Sequence, residues 1–167
     1  MTRDRDQWWT DDGVDALDVI EVQTAVIARN LELLRRRGDI YGELDKASYL
    51  LMRTLDAIGP ADIATLAAKL GLDPSTVGRQ VTALRAHGLV ERTADAQDRR
   101  RGIVSATAEG RELLAHTRVQ RRERTAELLH GWHQDELHAL GAMLTKYNRA
   151  VARDYLLSAP DETAEPG

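Results

Sequence analysis

Ile63 to Leu84 reads IATLAAKLGLDPSTVGRQVTAL, and its hydrophobic spacing decides the fold. Ile63, Leu66, Ala67 and Leu70 fall at i, i+3, i+4 and i+7, which predicts a helix with one buried stripe. Val77, Val81 and Leu84 repeat the pattern at i, i+4 and i+7 in a second helix. Between them Gly71 stands where a helix needs a left-handed C-terminal residue. Asp73 followed by Pro74 supplies an N-cap and a preset first helical position. The stretch predicts a helix-turn-helix.

At about 100° per residue, turning Val77, Val81 and Leu84 inward points Ser75 and Arg79 outward, with Thr76 and Gln80 at their flanks. These side chains suit nucleic acid: Arg can grip guanine with two hydrogen bonds, Gln can do the same with adenine, and hydroxyls reach bases or phosphates. Most of the four lie in the N-terminal turn, the end that a recognition helix offers to the major groove. Gly78 costs roughly 1 kcal/mol of helix propensity relative to Ala and predicts close approach of another surface, either DNA backbone or a neighbouring helix. A merely solvated polar face is the competing reading; the agreement of cap, turn and stripe disfavours it.

Further along, Leu89-Val90-Glu91-Arg92-Thr93 alternates like a strand after Gly88, and Gly102-Ile103-Val104-Ser105-Ala106 reads as its return partner. The polar connection from Ala94 ends in Arg99, Arg100 and Arg101. Consecutive cations repel unless an anion is near; Asp98 can hold one or two of them, and phosphate suits the rest. The hairpin reads as a wing whose expected seat is a minor groove.

The run from Gly59-Pro60 through LAAKLGLDPSTVGRQVTALRAHGLVERTADAQDRRRGIVSATAEG resembles the winged helix-turn-helix core of the multiple antibiotic resistance regulator (MarR) family. The specific part is the wing's Asp98-Arg99-Arg100, its spacing to Thr107, and the closing Thr-x-Glu-Gly from Thr107 to Gly110. The likeness extends over nearly the whole chain. It implies a homodimeric bacterial transcription factor, usually a repressor whose DNA affinity changes when a small, often aromatic, anionic molecule binds. By the same resemblance Ser75, Thr76, Arg79 and Gln80 take the base-reading positions, and Arg99 and Arg100, supported by Asp98, take the wing contacts.

Composition fits without leading there. The chain has 167 residues, enough for one domain with appendages. Its net charge of −4 is unevenly spread: residues 63–101 carry +3, residues 1–62 carry −5 and residues 102–167 carry −2. An acidic body repels non-cognate DNA and leaves one oriented basic face. With no Cys, the chain has no disulfide, thiolate metal site or cysteine peroxide switch. The sequence has no long apolar run and no leading charged-then-apolar segment, so a soluble cytoplasmic protein without a membrane partner is expected. It also lacks a phosphate-binding glycine loop, a zinc-protease motif and a nucleophile elbow, which argues against an enzyme; no cofactor is expected.

The flanks read as long helices. Thr10 caps the first, with Trp9 and Val14 as a hydrophobic staple, and Arg35-Arg36-Arg37-Gly38 closes it. Its apolar residues, among them Leu17, Ile20, Ile27, Leu31 and Leu34, cover an arc wide enough to need two partners, one of them another subunit. A second helix runs from about Asp45 to Ile58, the fifth, after the two of the helix-turn-helix and the wing, from about Ala108 to Leu129, and a last from about Gln134 to Leu157. Arg118, Arg121, Arg122 and Arg124 alternate with glutamates and read as a solvated or intersubunit face rather than a second DNA patch.

The expected architecture is mainly α with a small β-hairpin wing. Residues 1–44 form an N-terminal helix of a dimerisation region, 45–106 the winged helix-turn-helix, 107–157 the C-terminal helices that complete the dimerisation region, and 158–167 a disordered tail. The expected function is that of a homodimeric repressor on a pseudo-palindromic, double-stranded DNA operator. The resemblance puts an effector cleft where the first, second and fifth helices converge, with Tyr41, Tyr49 and His116 in those segments and Arg53 as a carboxylate partner. His130, His133 and His138, with Asp135 and Glu136 nearby, raise the possibility of a metal-responsive regulator, although no metal ligand is assigned. Two rival functions share the same fold: an effector-independent architectural DNA-binding protein, and a winged helix reused for protein contacts.

Overall fold

Helix caps set the boundaries of most elements in the computed structural model, which describes residues 15–36, 44–94 and 102–156. The chain divides into two units, Met1–Gly42 and Glu43–Gly167. In the first, α1 (Ala16–Arg36) starts where the Asp15 carboxylate accepts from the Leu17 N–H at 2.7 Å. In its last turn Glu32 accepts from Arg35 at 2.8 Å and Arg36 at 3.2 Å, and these bonds hold its pKa at about 2. No residue of α1 is buried. The expected Thr10 cap, the Trp9–Val14 staple and the closing Arg37-Gly38 lie outside the described residues.

The second unit runs α2 (Lys46–Ile58), β1 (Ala61–Asp62), α3 (Ile63–Leu70), α4 (Pro74–Ala86), β2 (Val90–Ala94), β3 (Gly102–Ala106), α5 (Ala108–Leu128) and α6 (Gln134–Val151), followed by one π-helical turn, Ala152–Leu156. Asp45 caps α2 by accepting from the Ser48 N–H at 2.7 Å, and Asp62 caps α3 by accepting from the Thr65 N–H at 2.8 Å. The mainly α fold with a small antiparallel sheet is as expected. The expected last helix is shorter: regular α geometry ends at Val151 instead of Leu157, and the turn after it loosens to π. The predicted tail, 158–167, lies outside the described residues.

β1 is an addition that the hydrophobic pattern does not show. The sheet has the order β1-β3-β2, with Ala61 opposite Val104 and Arg92 opposite Val104 on the other side. Val104 is therefore the centre of the sheet, and it is fully buried. Around it close Leu51, Met52 and Leu55 of α2, Leu66 of α3, Val77, Val81 and Leu84 of α4, and Leu114 of α5. Each such side chain contributes about 1.5–3 kcal/mol by leaving water. The apolar stripes of α2, α3 and α4 thus meet in one core that fixes the helix-turn-helix against the sheet.

A second joint ties the sheet to α5. Thr107 caps α5 by accepting from the Gly110 N–H at 3.0 Å, and its hydroxyl donates to the Gly88 carbonyl at 2.7 Å. Gly110 lets the helix lie directly on the Leu89 carbonyl; a Cβ there would collide with that oxygen and touch Met52. No helix among the described residues is long and apolar enough to cross a membrane.

Candidate nucleic-acid interface

The turn between α3 and α4 is built as the sequence predicts. Gly71 adopts φ 64 and ψ 40, a left-handed geometry that favours glycine, and its N–H closes on the Ala67 carbonyl. Asp73 then caps α4, with Pro74 at the first helical position. One Asp73 oxygen accepts from the Thr76 N–H at 2.8 Å and the Ser75 hydroxyl at 2.5 Å; the other accepts from the Thr76 hydroxyl at 2.6 Å. The bond from Ser75, then those from Thr76, and lastly the charge of Arg79, hold the Asp73 carboxyl well below the usual carboxylate range. The cap is therefore at full strength above the ordinary carboxylate range and is lost only as pH falls through the lowered value.

This network refines the expected base-reading set. Ser75 and Arg79 are exposed and Thr76 is half-buried, with the Arg79 guanidinium donating to the Thr76 hydroxyl at 2.9 Å. Arg79 is thus held along the outer face of α4, with donors left for an acceptor pair on a base edge. Gln80 sits further toward the core: its Oε1 is buried and has no hydrogen-bond partner among the described residues. Among the described residues no neighbouring helix meets Gly78: a Cβ built there finds nothing within 4 Å.

The hairpin expected as the wing is present in β2 and β3, where Ala94 pairs with Gly102 at its outer end. The Arg92 guanidinium lies across Gly102, over the space that a Cβ would fill. Asp98, Arg99 and Arg100 lie outside the described residues.

The expected effector residues separate. Tyr41 lies outside the described residues. Tyr49 on α2 lies under the Arg121 guanidinium, 4.3 Å from the ring centroid, and lines a cavity of about 900 Å³ with residues of α5 and α6. Arg53 donates to Asp56 at 3.1 Å and His116 is exposed on α5; neither lines that cavity. The α5 arginines are less uniform than a solvated face paired with its own glutamates. Arg124 reaches Glu127 at 3.3 Å, but Arg118 reaches across to Asp56 of α2 at 3.5 Å. Their three- and four-residue spacing was the available signal; it did not say that α6 would leave a gap beside them.

The histidines show no metal geometry. His133 stands at the N-cap of α6 and its backbone N–H donates to Glu136 at 2.7 Å, which engages that carboxylate in a helix cap. Among the described residues no group of three or more His, Asp or Glu side chains is placed to hold a metal ion.

Known proteins match this geometry. The MarR family model matches residues 44–101. The HTH-type transcriptional regulator YxaD of Bacillus subtilis is 34% identical over 134 residues, which cover 80% of this chain and 94% of that protein. The structure of PcaV from Streptomyces coelicolor, in complex with its natural ligand, superposes with a TM-score of 0.64 at 23% identity and covers 84% of this chain and 99% of that one. BpsR from Bordetella bronchiseptica, whose DNA binding is regulated by 6-hydroxynicotinic acid, superposes with a TM-score of 0.56 at 23% identity, over 64% of this chain and 76% of its own.

Proposed function

The chain belongs to the MarR family of transcriptional regulators, and from that premise we propose that it is a homodimeric repressor of a pseudo-palindromic operator, released by a small aromatic or anionic effector. The observation that carries the DNA-binding part is the outer face of α4: Ser75 and Arg79 are exposed, and Asp73 and Thr76 brace them from the helix's first turn. Arg79 reads guanine; Ser75, Thr76 and Gln80 read neighbouring edges; Arg99 and Arg100, with Asp98 as support, hold phosphates beside a minor groove. In this reading residues 1–44 and 107–157 supply the dimerisation region and 45–106 the winged helix-turn-helix. A dimer would set two copies of α4 about 34 Å apart, one turn of duplex.

Effector control is supported by kinship of fold with proteins whose structures concern ligands, PcaV with its natural ligand and BpsR with 6-hydroxynicotinic acid. The test is fluorescence anisotropy of a duplex from the gene's own upstream region against a scrambled duplex, over a salt series, with and without aromatic acids. Sequence-preferring binding that one acid weakens supports the proposal; equal, weak binding to both duplexes overturns it. Within that assay Arg79→Ala should lose about 1–3 kcal/mol of discrimination, whereas Arg100→Ala should weaken every duplex and flatten the salt slope by about one unit. Equal, salt-independent behaviour of the two variants would remove these roles.

A further inference from the structure

We propose that the hydroxyl groups of α4 fix which bases it reads: Ser75 accepts from the amino group of an adenine or cytosine, and Thr82 sets its methyl group against the methyl of a thymine. The inference rests on the DNA-reading role of α4 argued above and names the base atoms that the helix takes.

Asp73 settles the polarity of the first turn. Its carboxyl is held ionised by the bonds from Ser75 and Thr76, and an ionised carboxylate only accepts. Ser75 therefore gives its proton to one Asp73 oxygen at 2.5 Å and keeps lone pairs alone for an outside partner. On the major-groove edge the groups that donate to a lone pair are adenine N6 and cytosine N4, whereas guanine O6 and N7 and thymine O4 only accept. Thr76 gives its proton to the other Asp73 oxygen at 2.6 Å and takes one from Arg79 at 2.9 Å, which steadies the guanidinium beside Ser75.

Thr82 continues the same outward stripe, seven residues beyond Ser75 and three beyond Arg79, and it is exposed. Its hydroxyl donates back to the Gly78 carbonyl at 2.9 Å, so that proton is spent inside the helix. The methyl is what Thr82 has left to match, and the apolar group on a major-groove edge is the thymine methyl. A side chain this short reaches a base only where the helix lies deep in the groove. Its neighbours on the helix permit that: Gly78, Ala83 and Ala86 are small, and among the described residues nothing comes within 4 Å of a Cβ built at Gly78. Ser75 and Thr82 stand about 10 Å apart along α4, the rise of about three base-pair steps. The half-site then holds an amino-bearing base for Ser75, a guanine for Arg79 and a thymine for Thr82 within about four base pairs.

The experiment scans the labelled upstream duplex with base analogues that each lack one group, and reads binding of the full chain by anisotropy. 7-Deazaguanine removes N7 of guanine, purine and 2-pyrimidinone remove the amino groups of adenine and cytosine, and uracil removes the methyl of thymine. In the wild type one amino deletion should cost about three- to tenfold, the worth of one hydrogen bond. One methyl deletion should cost about fourfold, the worth of withdrawing one such group from water. Ser75→Ala should abolish the amino penalty alone. Thr82→Ser, which keeps the bond to Gly78, should abolish the methyl penalty alone, and Thr82→Val, which keeps the methyl, should preserve it. Asp73→Ser leaves α4 an N-cap but frees the Ser75 proton. It should shrink the amino penalty below about twofold and leave the methyl penalty in place, a change of selectivity that a loosened helix would not produce. Amino and methyl penalties that persist in Ser75→Ala and Thr82→Ser, beside a 7-deazaguanine penalty that Arg79→Ala abolishes, would overturn the inference and leave the DNA-reading role of α4 standing. No penalty from any analogue, with upstream and scrambled duplexes bound alike, would overturn both.

Discussion

Asp73 uses both carboxylate oxygens inside its own turn, and this changes what the neighbouring hydroxyls can offer DNA. Ser75 and Thr76 donate their protons to Asp73, so outward the Ser75 hydroxyl presents lone pairs, whereas Thr76 already accepts from Arg79. Lone pairs suit amino groups of adenine or cytosine better than phosphate oxygens, which only accept. The sequence placed all three residues correctly as cap and outer face, because cap preference and helical period are local properties. Which proton goes where was not legible, since Ser75 and Thr76 could equally have turned to solvent. Gly78 shows the same limit. Its low helix propensity signalled a close approach, yet no helix among the described residues comes near it. We propose DNA backbone as the surface that comes close there. Gly78→Ala should therefore stabilise the free protein by roughly 1 kcal/mol, a rise in Tm of about 2–4 °C for a chain of this size, and at the same time weaken binding to the upstream duplex. Unchanged duplex affinity in the anisotropy assay, alongside the rise in Tm, would show that nothing approaches the position.

At the scale of elements, the junction of β3 and α5 explains what Thr107 and Gly110 do together in one short motif. Thr107 binds Gly88 and caps α5, while Gly110 removes the side chain that would otherwise lift α5 off Leu89. Gly110→Ala should cost about 1–3 kcal/mol or more through overpacking against backbone that cannot swing away. In urea unfolding the midpoint should fall with an unchanged slope; an unchanged midpoint would mean that α5 can shift at no cost. Elements with caps and a full stripe, α2 to α4 and the β2–β3 hairpin, were legible before any coordinates. β1 was not, because two residues carry no period and Ala61 is strand only by lying opposite Val104. The cavity beside α5 was illegible for a related reason. Arg118, Arg121 and Arg122 show which way they face along their own helix, but the gap exists only because α6 stands off from that stripe.

For the whole molecule the decisive quantity is apolar surface left in water. None of the residues of α6 is buried, and Met143 is 60% exposed, Leu144 45% and Tyr147 48%. On α1, Leu17 is 73% exposed and Ile20 50%. Single exposed apolar residues are ordinary, but Met143, Leu144 and Tyr147 recur at the spacing of one helix face, and such a face marks an interaction surface. The sequence already required a partner for the first helix on this ground, and the same arithmetic now applies to α6 from its coordinates. A second copy of the chain is the partner that the proposed operator symmetry needs. Leu144→Glu places a charge on this face without touching the core of the winged unit, so it should turn a dimer into a monomer in sedimentation while the thermal transition of the helix-turn-helix core persists. Affinity for a full operator should then fall by about 10²–10⁴-fold, the avidity that two linked reading helices supply, whereas affinity for a single half-site should hardly change. A Leu144→Glu protein that still sediments as a dimer would move the subunit contact elsewhere, and a monomer that kept full operator affinity would show that one copy of α4 and its wing suffices.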